Sequence, residues 1–472
     1  DRIGNRNDID FDGDVRGYLS LRHRQYLRND LELSLELGYV SDPSFLEEFF
    51  PDEAYTARPY ETSIYFKQQQ DDRAFTLLAR YDLNDFLPQL AELQAPGYFV
   101  EKLPELTYRQ VGTSLFDNRL TYYTENRLSR LRIRPGDDSP RERGFGPRYS
   151  QLFFGIAPTT TFSDAITMAG IPRDYRLRFD SRHELQAPAR LGIFDVVPYV
   201  AGRITAYDDD FAEFSGEDDN YRLWGQIGTR IHTQFVQSFD SVESRLFDLH
   251  RMRHIIEPSA NIFFIASTID AQSLPIYDPD VEMLEKGFGT RLGVRNTFQT
   301  QRGGPGRWRS VDWLIIDTNY VFRSDDVEVR TDIARFFDYR PEYSIGGDHL
   351  QNDIRWAISD SFALVADVTY SFEDNDVPLW HVGTQIQHTP RFSTFLEYGE
   401  IDLIDSRLLT WGMNYILTPK YSLSYRQRLN LGESETQDLT LTIERRLPQW
   451  RILIQFRHDA VDDEQTVGVA LV

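Results

Sequence analysis

Asp8, Asp10 and Asp12, followed by Gly13, place carboxylates at every second position with a glycine at the bend. That is how a calcium loop opens. Its twelfth position, where a bidentate glutamate belongs, is Leu19, so a solvated acidic loop explains the run better than a metal site does. A second unusual stretch is His254-Ile255-Ile256-Glu257-Pro258, where Glu257, Ser259 and Asn261 alternate with Ile256, Pro258, Ala260 and Ile262. On a strand this puts Glu257 on the polar side, able to pair with an arginine or touch cargo. Pro258 removes a ladder donor and predicts a kink there. Hydrolytic and phosphate-binding signatures are missing: no Gly-x-Ser-x-Gly, no His-Glu-x-x-His and no phosphate loop. Nine histidines are present without metal-ligand spacing, and there is no cysteine for a disulfide, thiolate site or nucleophile. The expectation is a chain that is not an enzyme and carries no cofactor.

The elements that hold these residues read as strands. In Asp30–Tyr39 the residues Leu31, Leu33, Leu35, Leu37 and Tyr39 share one face, while Asp30, Glu32, Ser34 and Glu36 share the other. Phe362–Phe372 and Trp450–Arg457 repeat the alternation, and a strand turns such a pattern into one apolar and one polar face. Pro390, Pro419 and Pro448 recur every 29 residues, each in a short turn followed by an aromatic: Phe392, Tyr421, Trp450. Ser359-Asp360-Ser361 before Phe362 keeps the rhythm without proline. A tight turn, two strands of about ten residues and a looser loop make one transmembrane hairpin.

Composition agrees. Mean hydropathy is −0.48, and no apolar run approaches the ~18 residues of a membrane helix. A barrel escapes that test because only alternate residues meet lipid. The 25 Tyr and 32 Phe suit interfacial girdles. Phe362, Phe392, Tyr421 and Trp450 are the candidates for one aromatic belt. A net charge of −23 argues against nucleic acid. The predicted fold is all-β, a large antiparallel transmembrane β-barrel of roughly 20 strands, partial, over residues 1–472 without an internal domain boundary. The stretches 41–59 and 82–104 read as long loops, 238–251 and 267–288 blur the strand count, and only 44–50 suggests a helical turn. Residues 1–20 carry no signal-peptide pattern, so a mature product or an excised piece is expected.

Three segments carry a family likeness: Val40-Ser41-Asp42-Pro43-Ser44-Phe45-Leu46 with Phe49, then Glu101-Lys102-Leu103-Pro104-Glu105-Leu106, and Ile256-Glu257-Pro258-Ser259-Ala260-Asn261. With the tail from Glu444-Arg445-Arg446-Leu447 to Val472, the chain from about residue 15 onward resembles the barrel portion of the LptD family, the lipopolysaccharide-assembly proteins of the bacterial outer membrane. The resemblance implies a translocon that sets lipopolysaccharide into the outer leaflet through a lateral opening between first and last strands, with no chemistry done on the lipid. It implies an LptE-like lipoprotein plugging the lumen, and periplasmic Lpt bridge proteins that deliver through an N-terminal jelly-roll domain. That domain and the first strands are expected to lie outside this sequence, and without cysteine the family's disulfides cannot form from it. On this reading Val467, Gly468, Val469 and Ala470 are lateral-gate candidates, since Gly468 and Ala470 lack bulk. Glu32, Glu36, Glu257, Asp367 and Thr369 are lumen candidates, facing the plug or the sugar path. A porin-like importer and a soluble β-rich binding protein are the rival readings.

Overall fold

Strands in this chain bury charge and expose grease. In the strand Arg176–Gln186, Arg178, Asp180, Arg182 and Glu184 are buried, while Leu177 and Phe179 on the other face are 47% and 45% exposed. In Phe194–Tyr207, Tyr199, Ala201, Arg203, Thr205 and Tyr207 are buried, and Val200 and Ile204 point outward. A water-soluble sheet does the reverse, because apolar burial is what stabilises it. The inversion fits a sheet whose outer solvent is hydrocarbon.

The computed structural model describes residues 15–28, 30–42, 45–50, 60–84, 97–215, 220–324, 336–344, 347–432, 435–460 and 464–471. These form one antiparallel sheet of 23 strands. In chain order they are β1 Tyr18–Tyr26, β2 Leu31–Val40, β3 Thr62–Gln70, β4 Arg73–Tyr81, β5 Tyr98–Leu115, β6 Leu120–Pro135, β7 Arg176–Gln186, β8 Ala189–Leu191, β9 Phe194–Tyr207, β10 Tyr221–His232, β11 Phe235–Ser244 and β12 Leu249–Ser267. There follow β13 Gly287–Arg302, β14 Arg309–Arg323, β15 His349–Trp356, β16 Phe362–Ser371, β17 Asp376–Thr389, β18 Phe392–Ile401, β19 Ser406–Thr418, β20 Tyr421–Asn430, β21 Glu435–Arg446, β22 Arg451–Asp459 and β23 Glu464–Leu471. The chain divides into two compact units. The first comprises Asp1–Pro188, Pro198–Ile227 and Ile265–Lys286; the second comprises Ala189–Val197, Gly228–Phe264 and Gly287–Val472.

In the first unit, short connections alternate with long ones. Residues 71–72 and 116–119 close one end, while β2, β4, β6, β9 and β12 finish at the other, where 136–175 and 268–286 lie. Outer-membrane barrels keep short turns on the periplasmic side and long loops outside. The long connections carry short helices, among them Phe45–Phe49, Pro147–Phe154 and Phe162–Met168. Only the first was expected from sequence; the other two are too brief to show a helical period. The second correction is β5, which begins at Tyr98 inside a stretch read as loop to Pro104. Its proline and glutamates hid the alternation, and the register shifts between Lys102 and Glu105.

In the second unit the 29-residue rhythm is the hairpin itself. Thr389-Pro390-Arg391-Phe392 and Thr418-Pro419-Lys420-Tyr421 make the same turn: each threonine Oγ1 accepts the backbone N–H two residues on, at 3.2 Å in both. Each follows the same register shift, between Gln387 and Thr389 and between Ile416 and Thr418. The third copy has Leu447 in the threonine's place and opens to a wider turn closed by the Leu447 N–H on the Trp450 carbonyl at 2.8 Å. The looser loops prove nearly as short, four residues at 372–375 and 402–405. Pro258 does not interrupt its own strand, since β12 runs unbroken from Leu249 to Ser267; the break falls in the partner, between β10 and β11 at Thr233–Gln234, where the Thr233 N–H reaches the Pro258 carbonyl at 3.2 Å.

If the exposed apolar face meets hydrocarbon, Val200→Arg should destabilise the protein in bilayers by about 2–4 kcal/mol, measured by denaturant unfolding from vesicles. A change below about 0.5 kcal/mol would mean that this face lies in water.

Candidate functional site: an acidic loop locked on a cationic strand face

The richest chemistry in the described residues lies in the first unit, on the buried face. Five strands each lend the site a cation from it: Lys102 on β5, Arg127 on β6, Arg178 on β7, Arg203 on β9 and Arg222 on β10. Strand alternation puts each on the same side as its paired neighbour; Ser129, for instance, stands opposite both Glu105 and Arg178. Onto them folds the connection 268–286, with the run Asp278-Pro279-Asp280-Val281-Glu282 at its centre.

The contacts are close and numerous. Asp278 pairs with Lys102 at 2.7 Å and with Arg178 at 2.6 Å. Arg178 also pairs with Glu282 at 2.7 Å, and both side chains have no exposed surface, 0% each. Glu282 accepts further from the Tyr207 hydroxyl at 2.7 Å and from the Asp278 N–H at 2.6 Å. Asp280 meets Arg127. Arg222 donates to the carbonyls of Val281 and Glu282, and Arg203 to that of Asp280 at 2.7 Å. Strand carboxylates fill in between: Glu105 beside Lys102, and Asp180 gripped by Arg203 through two bonds of 2.7 and 2.8 Å. Charges taken out of water at this depth persist only when paired and hydrogen-bonded.

Burial alone would push the Asp278 carboxyl up, but the Arg178 and Lys102 charges and their hydrogen bonds hold it well below the usual carboxylate range. Toward the long-connection end the same loop supplies Ile269, Leu274 and Tyr277 to an apolar cluster with Val100, Leu131, Ile133, Ile166, Tyr207 and Phe211. The loop is thus fastened twice, by ion pairs and by a small ordinary core. The arrangement stores and matches charge. Among the described residues no group of His, Asp and Glu is placed to hold a metal.

The residues singled out from sequence are placed as follows. Asp8, Asp10 and Asp12 lie outside the described residues. Glu32 and Glu36 pair across strands with Arg24 at 2.6 Å and Arg22 at 3.1 Å on β1, partners the sequence did not suggest. Glu257 accepts from Gln234 at 3.1 Å and shares a strand face with Ser259 and Asn261. Asp367 faces His381 at 3.3 Å and stands opposite Asp353, which itself stands opposite Asp317. Thr369 is buried. Phe362, Phe392 and Tyr421 each begin a strand, and Trp450 directly precedes one, all at the turn end. Val467 and Val469, each 71% exposed, alternate with Gly468 and Ala470 along β23. None of these joins the loop site. One family-like segment does: Lys102 and Glu105 belong to it directly. The segment around Val40 builds a second small core of Val40, Phe45, Leu46 and Tyr60, with Asp42 buried against Arg16 at 2.8 Å. The signal that would have found the loop site is an acidic run in a long connection beside strands with arginines at alternate positions, as in Arg176-Leu177-Arg178.

A family model described as LptD, LPS transport system D, matches residues 14–283, which takes in both small cores and the whole loop site. The chain belongs to the LptD family. It is an outer-membrane protein of lipopolysaccharide transport, with the β-barrel class of fold found there. No curated protein matches it. Solved structures similar to it include the siderophore receptor PirA from Acinetobacter baumannii, at 8% identity over 94% of this chain and 67% of that one, TM-score 0.34. The FrpB iron transporter from Neisseria meningitidis is similar at 11% identity over 90% and 74%, TM-score 0.33. A mutant of the Rhodopseudomonas blastica porin is similar at 12% identity over 64% and 91%, TM-score 0.26.

Arg178→Met, which leaves Glu282 buried without its cation and Asp278 with Lys102 alone, should weaken docking of the LptD-family loop by about 3–5 kcal/mol, read as faster amide hydrogen exchange across 268–286. The pH dependence follows from the depressed Asp278 value. Its stabilisation is complete above the ordinary carboxylate value of 3.8 and is lost as pH falls through the folded value. Asp278→Asn should therefore speed loop exchange equally at pH 5 and pH 8, with the gap to wild type closing only below that ordinary value. A gap that closed near neutrality would rule out this pairing.

Proposed function

We propose that this LptD-family chain carries lipopolysaccharide along the charged faces of its strands and releases it sideways into the outer leaflet at the edge of β23. The observation that supports this most directly is the inversion of burial. A lipid with an anionic, sugar-rich head and long acyl tails needs a polar, charge-lined path for the head and a lateral way out for the tails. The charged face supplies the first, with Glu32, Glu36, Glu257, Asp367 and Thr369 as lining residues. The last strand is where the second is expected, because a sheet opens most easily at a strand that is ladder-bonded on one side. β23 bonds to β22, with Gly468 opposite Gln455 and Ala470 opposite Leu453. A side chain at Gly468 would meet no atom within 4 Å, so the strand is thinly packed at that point. The ends of the apolar face are anchored by rings, Phe362, Phe392, Tyr421 and Trp450 at the turn end. An LptE-like lipoprotein inside and Lpt bridge proteins on the periplasmic side complete the reading. In it the chain performs no reaction, since translocation needs only binding, guidance and a seam.

A photo-crosslinking residue at Gly468 or Ala470, in the complete protein assembled with its partners in cells, should capture lipopolysaccharide while transport is running. Capture confined to mid-sheet positions such as Asp367 would place the exit elsewhere.

A further inference from the structure

In the second unit β11 has a neighbour on one side only. It is ladder-bonded to β12, from Phe235 opposite Ile256 to Phe239 opposite Met252, and among the described residues to no other strand. The hairpin of β8 and β9 stops short of it. Ile193, at that hairpin's tip, accepts the Thr233 hydroxyl at 2.7 Å, two residues before β11 begins. At the other end a bulge follows Phe239. Residues 234–239, between these limits, form a bare edge of roughly 20 Å. One bond fixes the direction of the backbone groups along it. The Thr233 N–H points to the Pro258 carbonyl on the β12 side, and this direction alternates along an antiparallel strand. Phe235, Gln237 and Phe239 therefore direct their amides to β12, while Gln234, Val236 and Ser238 aim theirs away from it. The backbones of Val236 and Ser238 make no turn or loop bond either, among the described residues.

The edge is bare but held in place. The far side of the same hairpin is anchored: Asp248 in its turn pairs with Arg302 at 2.8 Å, Phe247 stacks on Trp356 with ring centroids 5.9 Å apart, and His250 stacks on Trp308 at 4.2 Å. The edge is also unguarded. Natural edge strands carry lysine, proline or a bulge against unwanted pairing, and the stretch Phe235-Val236-Gln237-Ser238-Phe239 has none of these. Free N–H and C=O groups at alternate residues are met in step by another extended backbone, not by lipid, sugar or ions. Side chains narrow the occupant further. Phe235 and Phe239 offer exposed rings on one face, and Val236 is exposed on the other. Asp240, exposed at the bulge, has no ion-pair partner among the described residues. β11 carries Asp240 and Glu243 and no cation. Pairing with a second copy would therefore set like charges together, in chains of net charge −23.

We propose that β11 is a docking edge for an extended segment of a periplasmic protein, which adds a strand of about six residues alongside 234–239 and sets a lysine or arginine by Asp240. Short turns of outer-membrane barrels face the periplasm, and β11 ends in such a turn at 245–248. Apolar side chains of the incoming strand meet Phe235 and Phe239, and its backbone takes up the free groups of Gln234, Val236 and Ser238. The inference goes beyond lipid transport and does not depend on what the chain carries.

The test is residue-resolved amide hydrogen exchange on the complete protein, once purified alone in nanodiscs and once in outer membranes isolated with periplasmic partners attached. Alone, the Val236 and Ser238 amides should exchange about tenfold faster than those of Gln237 and Phe239. In the outer membranes that difference should vanish. Ser238→Pro removes an outward donor without touching the β12 ladder. It should bring back fast exchange at Val236 in outer membranes, and leave Gln237 and Phe239 as slow in nanodiscs as they are in the wild type. Asp240→Lys should weaken the protection about fivefold. A photo-crosslinker at Val236 in the same membranes should join an extended segment of another protein, with a lysine or arginine in the joined stretch. Outward amides still fast in outer membranes, or protection that survives Ser238→Pro, would overturn the proposal. So would outward amides already slow in the protein alone, or adducts confined to lipid or to a second copy of this chain.

Discussion

Hydrocarbon offers no partner to a peptide group, and that constraint shapes everything else in this chain. Each strand must satisfy its N–H and C=O groups on its neighbours, so the 23 strands form one antiparallel sheet. Once the backbone is satisfied, side chains sort by solvent. Alternate positions meet lipid and are apolar; their neighbours face away from it and are charged. β7 and β9 state this most plainly, with Arg178, Asp180 and Arg203 sequestered while Phe179, Val200 and Ile204 are bare.

A charged interior face creates a problem of its own, since an unpaired ion there is expensive. The first unit solves it with its own sequence. The connection 268–286 brings Asp278, Asp280 and Glu282 down onto cations from three strands, and cations from two more strands take backbone carbonyls of the same loop. The loop therefore belongs to the strands' electrostatics rather than to the solvent. It ties together elements far apart in sequence: Lys102 and Asp278 are separated by 176 positions.

Much of this was legible in the amino-acid sequence, for a physical reason: period-two patterning is local. Leu31 to Tyr39 and Phe362 to Phe372 announced their strands, and the proline-aromatic turns announced the hairpins. Pro258 suggested a kink in its own strand, but that strand runs on and the break lies in its partner at Thr233–Gln234. Strand β5 stayed hidden because Pro104 and a register shift interrupt its alternation. The helices at Pro147 and Phe162 stayed hidden because two turns are too short for a period to appear. The loop site was out of reach for a different reason. Its cations come from five different strands, each unremarkable alone, and only register brings them together. The β1 partners of Glu32 and Glu36 were missed likewise, since pairing across a hairpin depends on where the turn falls.

The account stands on alternate side chains of each strand meeting different solvents, and β22 offers a clean place to measure it. A fluorescent label placed in turn at Ile454, Gln455, Phe456 and Arg457, in protein reconstituted into vesicles, can be challenged with a quencher carried on lipid tails and with one dissolved in water. Labels at Ile454 and Phe456 should be quenched from the lipid, and labels at Gln455 and Arg457 should not. Equal quenching at all four positions, or quenching from water alone at Ile454 and Phe456, would contradict the two-solvent sheet and the transport reading built on it.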